Sequence, residues 1–240
     1  MPKRPRASAA TSRDFRSKLV KRARKAGLDL PPEVVDGLES YFDLLRLWNR
    51  KIALTSLPID EAGEEAIDRL LIEPVLAAKY LPAREATVID IGSGGGSPAI
   101  PMKLAAPQIS MRMVESKTRK AAFLREASRH LNLTSTEVET ARFEQLLARP
   151  ELHEAVDVVT LRAVRTERAT LMGLQAFLKP GGMMFLFRSG ANSDQEAPAP
   201  PPLIWRSTYP LVENLRSRLV ILGKLHHAGQ EASAQAAGSR

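Results

Sequence analysis

One segment restricts the fold of this chain more than any other. Val88-Ile-Asp90-Ile-Gly92-Ser-Gly94-Gly-Gly96-Ser-Pro98 passes from an apolar run into four glycines within five residues, and a helix is expected to start near Pro98. Glycines let a backbone turn sharply and let a ligand approach without a Cβ in the way. The helix that follows offers free N–H groups to an anion. The same unit then recurs. Val88–Ile91 leads to a helix over Pro98–Ala106, Met111–Val114 to Thr118–Leu131, Thr136–Thr140 to Phe143–Ala148, and Val156–Leu161 to Glu167–Leu178, before a fifth strand at Met183–Phe187. Five strands separated by helices predict an α/β chain, a Rossmann-like doubly wound, mainly parallel sheet with right-handed crossovers. Its default ligand site is the turn after the first strand.

The segments on either side read differently. Residues 1–12 are rich in Pro, Ser, Ala and Arg, and disorder is expected there. Phe15 to Ala26 predicts a short basic helix that stops at Gly27, and Pro31-Pro32 opens a second. The apolar residues Val34, Val35, Leu38, Tyr41, Phe42, Leu44, Leu45 and Trp48 place one buried stripe on that second helix. A third helix is expected over Glu64–Tyr80, kinked or broken at Pro74. Gly190–Pro202 reads as a polar, proline-rich loop, Leu203–Leu211 and Arg218–Lys224 as an antiparallel edge pair, and Ala228–Arg240 as a frayed or disordered tail. The expected division is a basic arm (1–27), a helical N-terminal extension (28–82), a ligand-binding α/β domain (83–227) and a flexible tail (228–240).

Charge is distributed as unevenly as structure. The net charge is +8, yet residues 1–25 hold ten Lys and Arg against the single acid Asp14, which leaves the other 215 residues close to neutral. Such an arm gains affinity for a polyphosphate through counterion release, and a nucleic-acid contact is the expectation; a solvated tail is the alternative. The absence of cysteine excludes a disulfide framework, a Cys-ligated metal and thiolate catalysis. No window reaches a membrane span's apolar length and no apolar run backs the N-terminal charges, so a cytoplasmic location without membrane contact is expected.

Two ligands suit the glycine turn: a dinucleotide or S-adenosylmethionine. The dinucleotide pattern is G-x-G-x-x-G, and Ser97 stands where its third glycine belongs. The spacing Asp90-x-Gly92-x-Gly94-x-Gly96 instead resembles motif I of class I S-adenosylmethionine-dependent methyltransferases. Glu115, at the end of the second strand, is placed to accept from a ribose diol in either case. Methylation at a pyrimidine C5 needs a cysteine. Transfer to an exocyclic amine commonly uses an Asn/Asp-Pro-Pro-aromatic turn, where this chain has Thr160-Leu-Arg162-Ala-Val164. Of His130, His153, His226 and His227 only the adjacent last two could pair as ligands, and at a strand end or tail they read as solvated, so no metal is expected. An acceptor with a ready lone pair remains, such as guanine N7.

Several motifs converge on one family. Trp48-Asn49-Arg-Lys51 with Leu54-Thr55, the glycine segment through Met102, Glu115-Ser-Lys-Thr-Arg-Lys-Ala-Ala-Phe-Leu124, Arg142-Phe143-Glu144, Arg162-Ala-Val164 and Pro180-Gly-Gly182 together resemble the RsmG (GidB) family. These are bacterial methyltransferases acting on a guanine N7 of 16S, small-subunit, ribosomal RNA. The resemblance spans roughly residues 42 to 224. It implies S-adenosylmethionine as cofactor, with Gly92, Gly94, Gly96 and Ser97 along its methionine end, Glu115 at the ribose and Phe143 and Glu144 at the adenine. It implies Arg162 at the mouth between cofactor and base, as cofactor-binding, substrate-binding and catalytic residue. Asn49 and Arg69 would face the substrate, and the partner would be ribosomal RNA or the small subunit, bound by a monomer. Departures from the family pattern are Ala53, Ser97, Ala99, and Arg69-Leu-Leu-Ile-Glu73-Pro74, where the family has R-H-x-x-D-S. They leave a different RNA or a small-molecule acceptor as the alternative.

Overall fold

The computed structural model describes residues 9–163, 167–189 and 199–226, with side chains from Arg13 onward. Its centre is a seven-stranded sheet in the order β3-β2-β1-β4-β5-β7-β6. The strands are β1 (Thr87–Ile91), β2 (Ser110–Val114), β3 (Thr136–Glu139), β4 (Val156–Arg162), β5 (Leu178–Arg188), β6 (Leu203–Pro210) and β7 (Arg218–Lys224). β1 to β5 run parallel; β7 is antiparallel to both β5 and β6. The chain works outward from β1 to β3 and returns to place β4 on β1's other side. A crevice therefore opens between the carboxyl ends of β1 and β4.

Period-two burial explains the two cores. Val88, Met111, Val158 and Phe185 face one helical layer, whereas Ile89, Ile91, Val159, Leu161 and Met184 face the other. The first layer holds α1 (Ala9–Lys25), α2 (Pro32–Asn49), α3 (Glu64–Ile67), a π-helical segment (Asp68–Ile72), α4 (Glu73–Ala78), α5 (Ala99–Ala105) and α6 (Thr118–His130). The second holds α7 (Phe143–Leu146) and α8 (Arg168–Leu174). α2 follows its predicted stripe, burying Val34, Val35, Leu38, Tyr41, Phe42 and Leu45. Each such side chain contributes roughly 1.5–3 kcal/mol of transfer free energy.

Four expectations need correction. α1 begins at Ala9, so disorder does not extend over residues 9–12; residues 1–8 lie outside the described residues. The helix is held by tertiary burial: Phe15, Leu19 and Ala23 are buried, and the Phe15 ring stacks on Phe42 at 4.7 Å. Pro74 does not break the third helix, because the π-helical segment just before it absorbs the mismatch. The predicted helix over Glu167–Leu178 ends at Leu174, followed by a 3-10 turn over Gln175–Phe177. β5 starts at Leu178, not Met183, with Pro180-Gly181-Gly182 inside it. The register shifts between Val156 and Val158, and Gly181 has φ +77°, so these residues form an irregular stretch that still pairs with β4. The edge pair is as predicted. Most of the proline-rich loop and the C-terminal tail lie outside the described residues.

Candidate active site

The glycine turn leaves β1 with Gly92, Gly94 and Gly96 all at positive φ (74°, 52° and 89°). Gly92 and Ser93 donate their N–H groups to Val114 O at 2.9 and 3.0 Å, which ties the turn to the end of β2. Glu115 continues the tie. Its Oε2 accepts from Gly94 N–H at 2.9 Å and its Oε1 from Lys117 N–H at 2.7 Å. The carboxylate thus clasps the turn to the start of α6, and each oxygen keeps a lone pair for a diol. Tyr41 of α2 donates its hydroxyl to Gly95 O at 2.6 Å; burial pushes this phenol far up, so it remains a donor.

Beside the turn lies a cleft of about 880 Å³. Of the predicted site residues, Gly92, Gly94, Ser97, Glu115, Arg69 and Arg162 line it. Gly96 does not. A Cβ there would meet Ile100 Cδ1 at 2.6 Å and Leu124 Cδ2 at 3.3 Å, so this glycine permits close packing of α5 and α6 under the turn. Phe143 and Glu144 also lie off the wall: Phe143 packs into the core beneath α8 and Glu144 is exposed. Asn49 acts one step back. Its Oδ1 accepts from Leu54 N–H at 2.9 Å and Thr55 N–H at 3.0 Å, fixing the loop whose residues 54–57 form part of the wall.

The opposite wall depends on the helix interruption. Glu73 N–H bonds back to Asp68 O, five residues earlier, and Pro74 has no N–H. Arg69 O and Leu70 O thereby lose their ordinary α-helical donors. Two site residues supply replacements: Arg162 Nη1 donates to Arg69 O, and Ser97 Oγ donates to Leu70 O at 2.9 Å. Arg162 Nη2 also donates to Glu73 Oε2 at 2.5 Å, and its guanidinium lies 4.5 Å from the centroid of the Phe187 ring. The cation is held from three sides at the end of β4.

Glu73 was legible in the sequence only as a lengthened acid followed by proline. Its pairing with a residue 89 positions away required the fold. It is 3 % exposed, and its Oε1 has no hydrogen-bond partner. Burial pushes the Glu73 carboxyl up, with Arg162 opposing in part. Burial likewise draws Arg162 down against Glu73's pull, though a guanidinium stays charged. Deeper still, Asp90 Oδ1 accepts from Thr160 Oγ1 at 2.5 Å and its Oδ2 is unpartnered; burial raises this carboxyl too. Lys117 and Lys120, within the Glu115–Leu124 motif but without an expected role, join the wall together with Phe187 and Arg188, which lie outside the motifs.

The arrangement suits an amino-acid nucleoside. The turn presents backbone without side chains, Glu115 offers acceptors, and Arg162, paired with the buried Glu73, offers a cation at the cleft wall. No group of three metal-ligating side chains is found among the described residues.

Comparison with known proteins gives the same answer. A model of the family described as rRNA small subunit methyltransferase G (GidB) matches residues 35–201. The chain belongs to this family. Relatives named ribosomal RNA small subunit methyltransferase G include that of Roseiflexus castenholzii, 36% identical over 178 residues, which cover 74% of each chain. That of Sorangium cellulosum is 30% identical over 207 residues, 85% of this chain and 84% of its own. Among solved structures, a methyltransferase-like protein of Escherichia coli is similar with TM-score 0.51 and 12% identity, over 65% of this chain and 86% of its own. That likeness bears on the fold alone. As a family member the protein is a methyltransferase, and S-adenosylmethionine is its cofactor.

Proposed function

We propose that the protein methylates N7 of a guanine in 16S ribosomal RNA, in the cytoplasm, with the RNA or the small subunit as its partner. When bound, S-adenosylmethionine supplies a methyl group on a sulfonium. The residues of the chain then have to seat the cofactor, position the acceptor and keep water out. Guanine N7 carries a lone pair and no proton, so its methylation needs alignment and charge complementarity rather than a general base. The observation that carries this reading is Arg162. The end of β4 presents a guanidinium clamped by Glu73 and Arg69 O, with Phe187 against it, where a proton-abstracting group would otherwise be sought. A fixed guanidinium there is suited to donate to an acceptor edge or a phosphate. No histidine lines the cleft among the described residues.

The test is incubation with labelled S-adenosylmethionine and small-subunit RNA or subunits, followed by nucleoside mass spectrometry. The expected product is 7-methylguanosine. Label in another nucleoside, or only in a small molecule, would replace the acceptor; no transfer to any RNA would end the reading.

A further inference from the structure

The outward face of α1 is a second charged surface, separate from the cleft. Phe15, Leu19, Ala23 and Arg22 point inward. At 100° per residue, Arg13, Lys21, Arg24 and Lys25 fall on the opposite side of the helix. All four are exposed, and none has an ion-pair partner among the described residues. The other cations of α1 are satisfied: Arg16 by Asp36 and Glu39, Lys18 by Asp14, Arg22 by Asp68 and Glu64. Arg13, Lys21 and Arg24 border a shallow concavity on the helix surface together with Ser17 and Val20.

The mounting of this helix matters as much as its charge. Arg22 is 5 % exposed and grips Asp68 with two nitrogens, Nε at 2.9 Å and Nη2, while its Nη1 reaches Glu64 at 2.7 Å. Asp68 opens the π-helical segment whose next residue, Arg69, lines the cleft and accepts from Arg162. The helix that carries the basic face is therefore fixed to the element that forms the acceptor-side wall. It lies before residue 35, where the match to the family begins.

We propose that Arg13, Lys21, Arg24 and Lys25 form a rigid grip for the phosphate backbone of the RNA whose base enters the cleft. This rests on the reading of RNA as substrate. Four uncompensated cations on one helix face are complementary to a polyanion, and the remaining 215 residues are almost neutral, so this segment supplies the net attraction. A free tail would lose ordering entropy on binding, whereas a helix docked by Phe15, Leu19 and Arg22 is already ordered.

The test compares the full chain with R13Q/K21Q/R24Q/K25Q and with a control, R84Q/R129Q/R149Q/R206Q, that removes equal charge elsewhere. Binding to 16S RNA is measured by fluorescence anisotropy at several salt concentrations, and cofactor binding by calorimetry. For the helix-face variant, RNA affinity is expected to fall about 10-fold or more at physiological salt, and the slope of log K against log salt to become shallower by about 2–3. Its cofactor affinity is expected to match that of the parent, which reports an intact fold. The control should keep most of the parent's slope. Equal slopes for parent and helix-face variant, or equal losses in both variants, would overturn the proposal. Methylation by the parent is read separately: its absence would fault the RNA assignment, whereas its presence with an unchanged helix-face variant would fault only the grip.

Discussion

The two walls of the cleft are built by different means. On the β1 side the wall is backbone: a turn of glycines tied to Val114 O and to Glu115, with little side chain to lose. On the helical side it is buried charge: Arg162 and Glu73 paired, with Arg69 O and Leu70 O freed by a π-helical segment and a proline. A backbone-built wall needs only residues that permit its conformation. A charge-built wall fails when either partner is removed, because the other is then stranded in a poor dielectric.

The largest expected effect comes from breaking the charged wall. Arg162→Met should reduce methyl transfer by about 100-fold or more and destabilise the fold by roughly 3–5 kcal/mol, since Glu73 is left buried and unpaired. Adding Glu73→Gln should recover much of the stability but not the activity; denaturant melts and initial rates read the two separately. Glu73→Gln alone should reshape the pH profile. In the parent, protonation of Glu73 breaks the pair as pH falls through a pKa that burial holds above the usual glutamate range, so cofactor affinity should fall there; in the variant that limb should flatten. The effect on global stability has the opposite sign. A carboxyl whose folded pKa is raised contributes most below its unfolded value of about 4.3, and that contribution is lost as pH rises through the folded pKa.

A smaller effect is expected on the backbone wall. Gly94 sits at φ +52°, where aspartate is tolerated better than most residues, and a Cβ there would meet only Gly92 O at 3.7 Å. Gly94→Asp should therefore weaken cofactor binding by about 10–100-fold, through a carboxylate beside Glu115, while moving stability by only about 1 kcal/mol. Calorimetry and a thermal melt check the two. Loss of fold would show that this wall, too, depends on more than backbone. The smallest effect belongs to Asn49→Ala. Leu54 and Thr55 N–H would lose their acceptor at a cost of about 1–2 kcal/mol, mostly local. Faster hydrogen exchange over residues 54–57, a few-fold rise in KM for RNA and an unchanged cofactor affinity are expected.

The difference between the walls also explains what could be read in advance. Glycine spacing after an apolar strand announces the turn, and Glu115 and Arg162 stand at strand ends that periodicity locates. The strand alternation and the antiparallel edge pair were likewise visible. Pro74 marked an irregularity but not its form: local propensity predicts a kink or a break, and the structure passes through a π-helical segment and uses the freed carbonyls. Phe143 and Glu144 were placed by the family resemblance; in the structure Phe143 packs against the core, Glu144 is exposed, and neither is among the residues lining the cleft. The N-terminal charges were legible as a number; their division into a buried lock and an exposed face was not.

The sequence by itself determined the sheet, the site of the turn and the chemistry open to it, because these follow from local periodicity, glycine conformational freedom and the lack of cysteine. The tertiary structure alone decided that Glu73 meets Arg162 and that Arg22 meets Asp68. Such pairs join residues tens of positions apart, and burial sets their strength by removing water that would screen them, which no local pattern records.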